Sequence, residues 1–317
     1  MVTVLVTGGN GMIGKNLQDL IKDTQNKDTQ NKDIIWLFPK SDELNLMVTD
    51  SIDKYLSNNS VDYIVHLAAN VGGLYKNLRY KVEMLRENII MNENILHYAN
   101  KYDIQNGIFC CSTCIFPDNP SKYPMTEDML MDGAPHYSNA SYAYSKRLLY
   151  FQCKNYNYQY DRKYVCITPT NIYGKYDNFN LSESHFIPAL IHKFYLAEIE
   201  KSSLDISTGL NSMRQVINAY DISKIIYEMI NNFNKIDYDN IILANNEMAI
   251  VDLIKMISKS FPSIKYTVID NEQGQTKKTC SNELFKNSFP NFEFTDIEQG
   301  IKETIEWFKC NYDEIRK

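Results

Sequence analysis

Three side chains between Cys110 and Lys146 have the types and the spacing for proton transfer. Ser112 closes an apolar run, and Tyr142 stands four residues before Lys146 in a segment with helical character. At that spacing a phenol and an ammonium share one helical face, one turn apart. A tyrosine that exchanges a proton near neutral pH starts from a pKa of about 10, and a fixed cation beside it favours the phenolate. Lys146 is that cation, and Ser112 offers a second hydroxyl to a substrate oxygen. Cys111 and Cys114 in the same stretch have CxxC spacing. Zinc would want a second pair or a nearby His, and redox chemistry a motif opening a helix in a thioredoxin setting. Neither condition is met well, so no metal site is expected, and Cys111 reads as core and Cys114 as exposed.

The elements that must position these groups begin with the β-branched run Val2 to Val6, then a Gly-rich turn, then a helical pattern from Lys15. The turn has the spacing Gly8-x-x-Gly11-x-x-Gly14, with Met12 and Ile13 among its cofactor contacts. Such a turn lets backbone approach a pyrophosphate and lets the helix pack on the strand. A second buried-type strand, Ile34 to Phe38, is followed by Lys40 and Ser41 where an NAD enzyme usually places Asp or Glu for the ribose. A cation and a hydroxyl suit a 2′-phosphate, so NADP(H) is the expected cofactor, although Asp42 and Glu43 follow closely. Val61 to Ala69 is a third strand, whose small end residues Ala68 and Ala69 leave room for a cofactor. His66 within it reads as a hydrogen-bonded core histidine, and Gly72 and Gly73 as a flexible substrate-side loop.

A helix is expected from Glu83 to Tyr102, with Leu85, Ile89, Asn92 and Leu96 near one stripe; Asn88 is either a cofactor-side backbone ligand or a surface residue. A helix from Tyr142 to about Tyr158 and a strand in YVCITPTNIYG follow, the latter delivering the turn Pro169, Thr170, Asn171 and Ile172 towards the cofactor. Alternating strands and helices predict a Rossmann-type doubly wound parallel α/β sheet with its crevice at the strands' carboxyl ends. The rhythm changes at Tyr173. Residues 1–172 with about 214–236 are expected to form the NADP-binding domain, and about 173–213 with 237–317 a smaller α+β substrate-binding lobe that includes NIILAN. His97, His136 and His192 read as surface or helix-face residues. The tandem repeat DTQNKDTQNKD, Asp23 to Asp33, reads as an expanded surface loop or frayed helix end.

Composition bounds the function classes. In 317 residues, 44% are hydrophobic and 23% charged, which is ordinary for a globular chain, and the net charge of −6 offers no attraction to nucleic acid or anionic membrane. No run approaches the ~18 apolar residues of a membrane span, and the N-terminus lacks the features of a secretory signal. Seven cysteines without framework spacing fit free thiols, so a cytoplasmic enzyme is expected.

Ser112, Tyr142 and Lys146 behind a Gly-rich nucleotide-binding start resemble the extended short-chain dehydrogenase/reductase family. Longer segments narrow the resemblance to its GDP-L-fucose synthase branch: SDELNL, LAANVGGLYKN, CSTCIFPDN, PTNIYGKYDNFN, ESHFIPALIHKF, QGQTKKTCSN and IKETIEWF, spread over the whole chain. The resemblance implies an NADPH-dependent epimerisation at carbons 3 and 5 of GDP-4-keto-6-deoxy-D-mannose, then reduction at carbon 4 to GDP-L-fucose. It makes Tyr142 the proton donor at the carbon 4 oxygen, and Lys146 the group that lowers its pKa and holds the nicotinamide ribose. Ser112 orients the keto oxygen, and Cys114 and His185 match the epimerisation base and acid. Chemistry supports such a pair, because the ketone acidifies both neighbouring C–H bonds and the proton must return from the opposite face. His185 is also implied at the cofactor, and Lys193 and Arg214 at the GDP phosphates. Ser207 and Gln273 replace a Trp and an Asp of the family's substrate site, which leaves another 4-keto-6-deoxyhexose nucleotide as the alternative substrate. A homodimer through the helices at 83–102 and 142–158 is the expected assembly.

Overall fold

The computed structural model describes residues 1–27, 34–271 and 277–317. In chain order the elements are β1 (Val2–Thr7), α1 (Met12–Lys27), β2 (Ile34–Leu37), α2 (Thr49–Asn58), β3 (Tyr63–His66), α3 (Leu74–Arg79), α4 (Lys81–Lys101), β4 (Asn106–Cys110), α5 (Ala140–Tyr160), β5 (Lys163–Pro169) and β6 (Asn171–Tyr173). There follow α6 (Phe186–Glu200), β7 (Leu204–Thr208), β8 (Met213–Asn218), α7 (Ala219–Asn231), β9 (Asn240–Leu243), β10 (Glu247–Ala249), α8 (Ile250–Ser258), β11 (Tyr266–Asp270), α9 (Glu283–Ser288) and α10 (Ile297–Cys310). Residues 23–27 of the tandem repeat continue α1, and the rest of it lies outside the described residues.

Val, Ile and Leu runs, buried on both faces except at the edge strand β2, form the parallel sheet β2-β1-β3-β4-β5-β9. Chain order reverses between β1 and β3, so the loops after these strands diverge and open a crevice at their carboxyl ends. One apolar layer covers each face. α2, α4 and α5 pack on a cluster around Leu5, Ile64, Phe109 and Cys166, and α1 and α7 on one around Val4, Val65, Val165 and Ile241. α7 lies beside α1 on this face, where Ser223 Oγ donates to the Ile13 carbonyl at 3.1 Å. A third cluster, around Phe194, Phe261, Ile254 and Phe308, forms the smaller lobe with the sheets β10-β8-β6 and β11-β7.

Several expectations are corrected. NIILAN belongs to the large sheet rather than the lobe: β9 pairs parallel with β5, and its residues are buried on both faces. β2 is the sheet's edge and is only partly buried, with Ile35 exposed. The buried stripe of α4 runs through Met84, Asn88, Asn92, Ile95 and Ala99, so Leu85 and Ile89 are only half-buried. His192 is a buried tie, bonding the Phe179 carbonyl at 2.8 Å and the Tyr312 hydroxyl at 3.1 Å. Among the described residues no helix is long and apolar enough to cross a membrane.

Candidate active site

The Gly-rich turn is shaped by close approach. Gly8 has φ +73°, and a Cβ there would stand 2.6 Å from the Ala68 nitrogen, so this turn and the end of β3 touch through backbone. Gly14 packs as closely, since its Cβ would meet the Gly9 Cα at 2.5 Å. The first amides of α1, at Met12 and Ile13, follow this turn directly and have no helical carbonyl before them to bond, the arrangement a pyrophosphate needs. Lys40 is exposed beyond β2, and its backbone amide is bonded by Glu43 Oε2 at 2.7 Å, which turns that carboxylate onto its own loop. The donor set fits a dinucleotide carrying a further phosphate.

Behind this turn the polar groups are paired. His66 is fully buried between Thr7 Oγ1, 2.8 Å, and Asn92 Oδ1, 3.0 Å, and its pKa is pulled down to about 3 by desolvation and then by the Lys146 ammonium. It is the core histidine the sequence suggested. Asn88 resolves as a backbone ligand: its amide both accepts from the Asn70 N–H and donates to the Asn70 carbonyl, each at 2.9 Å. It fixes the chain where β3 leads into Gly72 and Gly73. Those glycines are buried, a correction to the loose loop expected, because Gly73 N–H donates to the Glu183 carbonyl at 2.7 Å.

β4 ends in Cys110 and delivers Ser112, which caps a short turn, Thr113–Ile115, by accepting from the Cys114 N–H at 3.4 Å. Tyr142 and Lys146 share one face of α5, and the Lys146 Nζ lies 5.9 Å from the centre of the Tyr142 ring. Lys146 is 1% exposed, and its Nζ donates to the Cys110 carbonyl at 2.7 Å. The phenol's pKa is not lowered as expected. Desolvation raises it well above its ordinary value, and the thiols of Cys114, Cys110 and Cys111 add to the rise, so Tyr142 stands as a protonated donor at neutral pH.

Cys114 is buried rather than exposed, at 6%. After Ser112 the chain turns inward, and Thr113, Ile115 and Phe116 draw the thiol under with them. Burial raises its pKa, opposed by the Lys278 ammonium, the Ser112 hydroxyl and the Lys146 ammonium. His185 stands exposed at the N-terminus of α6, where the bond between Gly73 and Glu183 holds the preceding turn. Desolvation by the surrounding crevice, and then the Lys278 ammonium, pulls its pKa below the usual histidine value. Arg214 is half-buried on β8, with Nη1 bonded to the Met213 carbonyl at 2.8 Å, and Lys193 is exposed two turns along α6. Of the cofactor-side turn, Pro169 and Thr170 are buried, Asn171 binds the Gln215 carbonyl at 3.0 Å, and Ile172 is half-buried in β6. Ser207 is exposed at the edge of β7 and accepts from the Asn271 amide at 2.9 Å; Gln273 lies outside the described residues.

Residues 4–244 match the model of the NAD dependent epimerase/dehydratase family. The chain belongs to that family. Within it, the chain is 38% identical over 320 residues to a GDP-L-fucose synthase of Dictyostelium discoideum, covering 99% of this chain and 98% of the relative. A GDP-L-colitose synthase of Yersinia pseudotuberculosis is 31% identical, over 96% of this chain and 97% of that one. A GDP-L-fucose synthetase of Naegleria fowleri solved with NADP superposes with a TM-score of 0.89 and 33% identity, covering 100% of this chain and 95% of that one. The family's Rossmann-type fold is the one described above. Lys278, which both Cys114 and His185 feel, was missed by sequence reasoning. Its signal lay in QGQTKKTCSN, a segment used only for resemblance.

Proposed function

We propose that the protein converts GDP-4-keto-6-deoxy-D-mannose to GDP-L-fucose, inverting carbons 3 and 5 and then reducing carbon 4 with NADPH. The observation that carries this reading is full-length similarity to a GDP-L-fucose synthase in a chain that keeps a Ser-Tyr-Lys set beside a second, Cys and His, set at one crevice. The reduced nicotinamide, when bound, supplies the hydride. Gly8, Gly11, Met12, Ile13 and Gly14 would hold its pyrophosphate, Lys40 the 2′-phosphate, and Ala68, Ala69, Pro169, Thr170, Asn171, Ile172 and His185 its remaining flank. Lys146 would hold the nicotinamide ribose, and its ammonium keeps positive charge next to the phenol. Tyr142, kept protonated by its surroundings, gives its proton to the carbon 4 oxygen, and Ser112 donates to the same oxygen. Cys114 and His185 remove and return the protons at carbons 3 and 5, with the two hydroxyls stabilising the enolate. Lys193 and Arg214 face the diphosphate, for which a guanidinium has the better geometry.

Residues 1–172, the helix of 214–236 and β9 would form the cofactor domain, and the remainder the sugar-nucleotide lobe. A homodimer is proposed through α4 and α5, which present exposed Val82, Tyr144, Leu148 and Phe151 on one side. A cytoplasmic location suits seven thiols of which none is in a disulfide. A second substrate reading, another 4-keto-6-deoxyhexose nucleotide, is favoured by Ser207, a small hydroxyl at the edge of the lobe, and by the colitose synthase relative. Incubation with GDP-4-keto-6-deoxymannose and NADPH, with the product identified by NMR, separates these. GDP-L-fucose supports the leading reading; no turnover of this substrate while NADPH still binds would overturn it.

A further inference from the structure

A strap before α9 reaches both halves of the site. The Met125 N–H donates to the Thr279 carbonyl at 2.8 Å and the Ser281 N–H to the Met125 carbonyl at 2.7 Å, so Cys280 and Met125 form a parallel β-bridge with 279–281 locally extended. On the lobe side Gln215 grips the same strap: its Oε1 accepts from the Cys280 N–H at 2.8 Å and its Nε2 donates to the Cys280 carbonyl at 3.0 Å. Side chains alternate along an extended segment. Cys280 enters the apolar cluster that contains Cys114, whereas Thr279 turns away and bonds Glu247. Lys278, two residues before Cys280, therefore faces the Cys114 side. Burial lowers its pKa, and the titratable groups it meets there are Cys114, Cys280, Arg214 and Asp118, while His185 feels it from α6.

We propose that Lys278 is a positioning residue for proton transfer, its ammonium set on the Cys114 side of the strap so that a buried thiol can become the thiolate that acts as base. The proposal deepens the reading above and rests on it for the substrate. In the step, the thiolate takes the proton of carbon 3 or carbon 5, the C–H electron pair becomes the enolate with its charge on the carbon 4 oxygen, and a proton is later returned to the opposite face. No electrons leave the substrate. The other groups that face Cys114 are Lys146, Tyr142 and Arg147 from α5 and Cys111 from the end of β4. Lys146 is bound to the Cys110 carbonyl, and Arg147 Nε to the Ile115 carbonyl. Lys278 alone among these cations comes from beyond the large sheet and its helices. Among the described residues it is also the one cation that shifts both Cys114 and His185. Its charge favours the thiolate and disfavours the imidazolium, so it sets the two partners in opposite senses.

The test is the pH dependence of Cys114 alkylation by iodoacetamide in the full-length enzyme without sugar nucleotide. A Cys310→Ser background removes the exposed thiol, and a Cys114→Ser control identifies the signal. Lys278→Met should move the alkylation profile up by about one pH unit, about tenfold slower labelling at a fixed pH, while Lys278→Arg leaves it near wild type. Loss of deuterium wash-in at carbons 3 and 5 should be recovered in Lys278→Met as pH is raised. NADPH binding, followed by fluorescence, reports that each variant is folded. An unchanged profile in Lys278→Met, with only the substrate KM raised, would reduce the residue to a phosphate ligand and overturn the proposal. Equal shifts in the Met and Arg variants would assign the effect to packing and overturn it as well. A profile that shifts as expected in an enzyme whose wild type incorporates no label would sink the substrate reading and leave the pairing of Lys278 with Cys114 standing.

Discussion

Gly73→Ala tests whether the crevice wall positions His185. A Cβ at residue 73 would stand 2.0 Å from the Ser184 carbonyl oxygen and 2.8 Å from its carbon, both rigid backbone, whereas real Cβ atoms essentially never come under 3.0 Å. Either the N-terminus of α3 or the turn before α6 must therefore give by about 1 Å, and the bond from the Gly73 N–H to the Glu183 carbonyl is lost with it. The backbone φ of −70° is ordinary, so the whole effect is steric. Overpacking of this kind costs about 1 to 3 kcal/mol, and a displacement of about 1 Å in a catalytic group costs about 100-fold in rate. Denaturant unfolding gives the first quantity. For the second, deuterium wash-in at carbons 3 and 5 should fall about 100-fold, while NADPH binding, held mainly by the Gly-rich turn and met by His185 only at its flank, should weaken far less. Wild-type stability together with wild-type wash-in would refute the reasoning, for it would mean that the close contact does not hold His185.

Further predictions follow from burial and charge. Lys146→Met keeps the volume of a side chain only 1% exposed but removes the ammonium, so carbonyl reduction should fall by about 100-fold or more, read from NADPH oxidation; less than a tenfold loss would count against Lys146 as the charge behind Tyr142. His66 is held neutral in the fold, with a pKa of about 3, so between about 6.5 and 3 the unfolded chain binds more protons and stability drops as pH falls, by about 1.4 kcal/mol per unit. His66→Gln should flatten that slope in unfolding curves at pH 4 and 6, and an equal slope would contradict the assignment. Asp177 is opposite in sign. It is buried, its Oδ2 has no partner among the described residues, and desolvation raises its pKa to about 7, so its neutral form stabilises the fold at low pH and that contribution is lost as pH rises through 7. Asp177→Asn should therefore gain stability over wild type progressively from pH 4 to pH 7 and level off above it, and a constant difference over that range would refute it.

The sheet was legible because its signals are local: β-branched runs buried on both faces, glycines at fixed spacing, and a Tyr and a Lys one helical turn apart. What failed was what depends on distant partners. NIILAN carries nothing that tells a sixth strand of the large sheet from a strand of the lobe; only its neighbour Lys163 to Pro169 decides. The CxxC spacing alone points to an exposed Cys114, yet the strap at 279–281, some 165 residues later, helps to seal it. The same distance hid Lys278. Asn88 and Gly73 were visible as residues, but their purpose, to fix Asn70 and to admit the Glu183 turn, is a matter of tertiary contact. The lowered phenol pKa expected from a lysine one turn away failed because spacing along a helix says nothing about how deeply the pair is buried.

Whether one crevice both inverts the neighbours of a ketone and reduces it is decided by incubation with GDP-4-keto-6-deoxymannose and NADPH in deuterated water. The product should carry deuterium at carbons 3 and 5 and form with one equivalent of cofactor oxidised, and Cys114→Ser should lose the label. Reduction without label at either carbon, or full labelling in the Cys114→Ser variant, would contradict it.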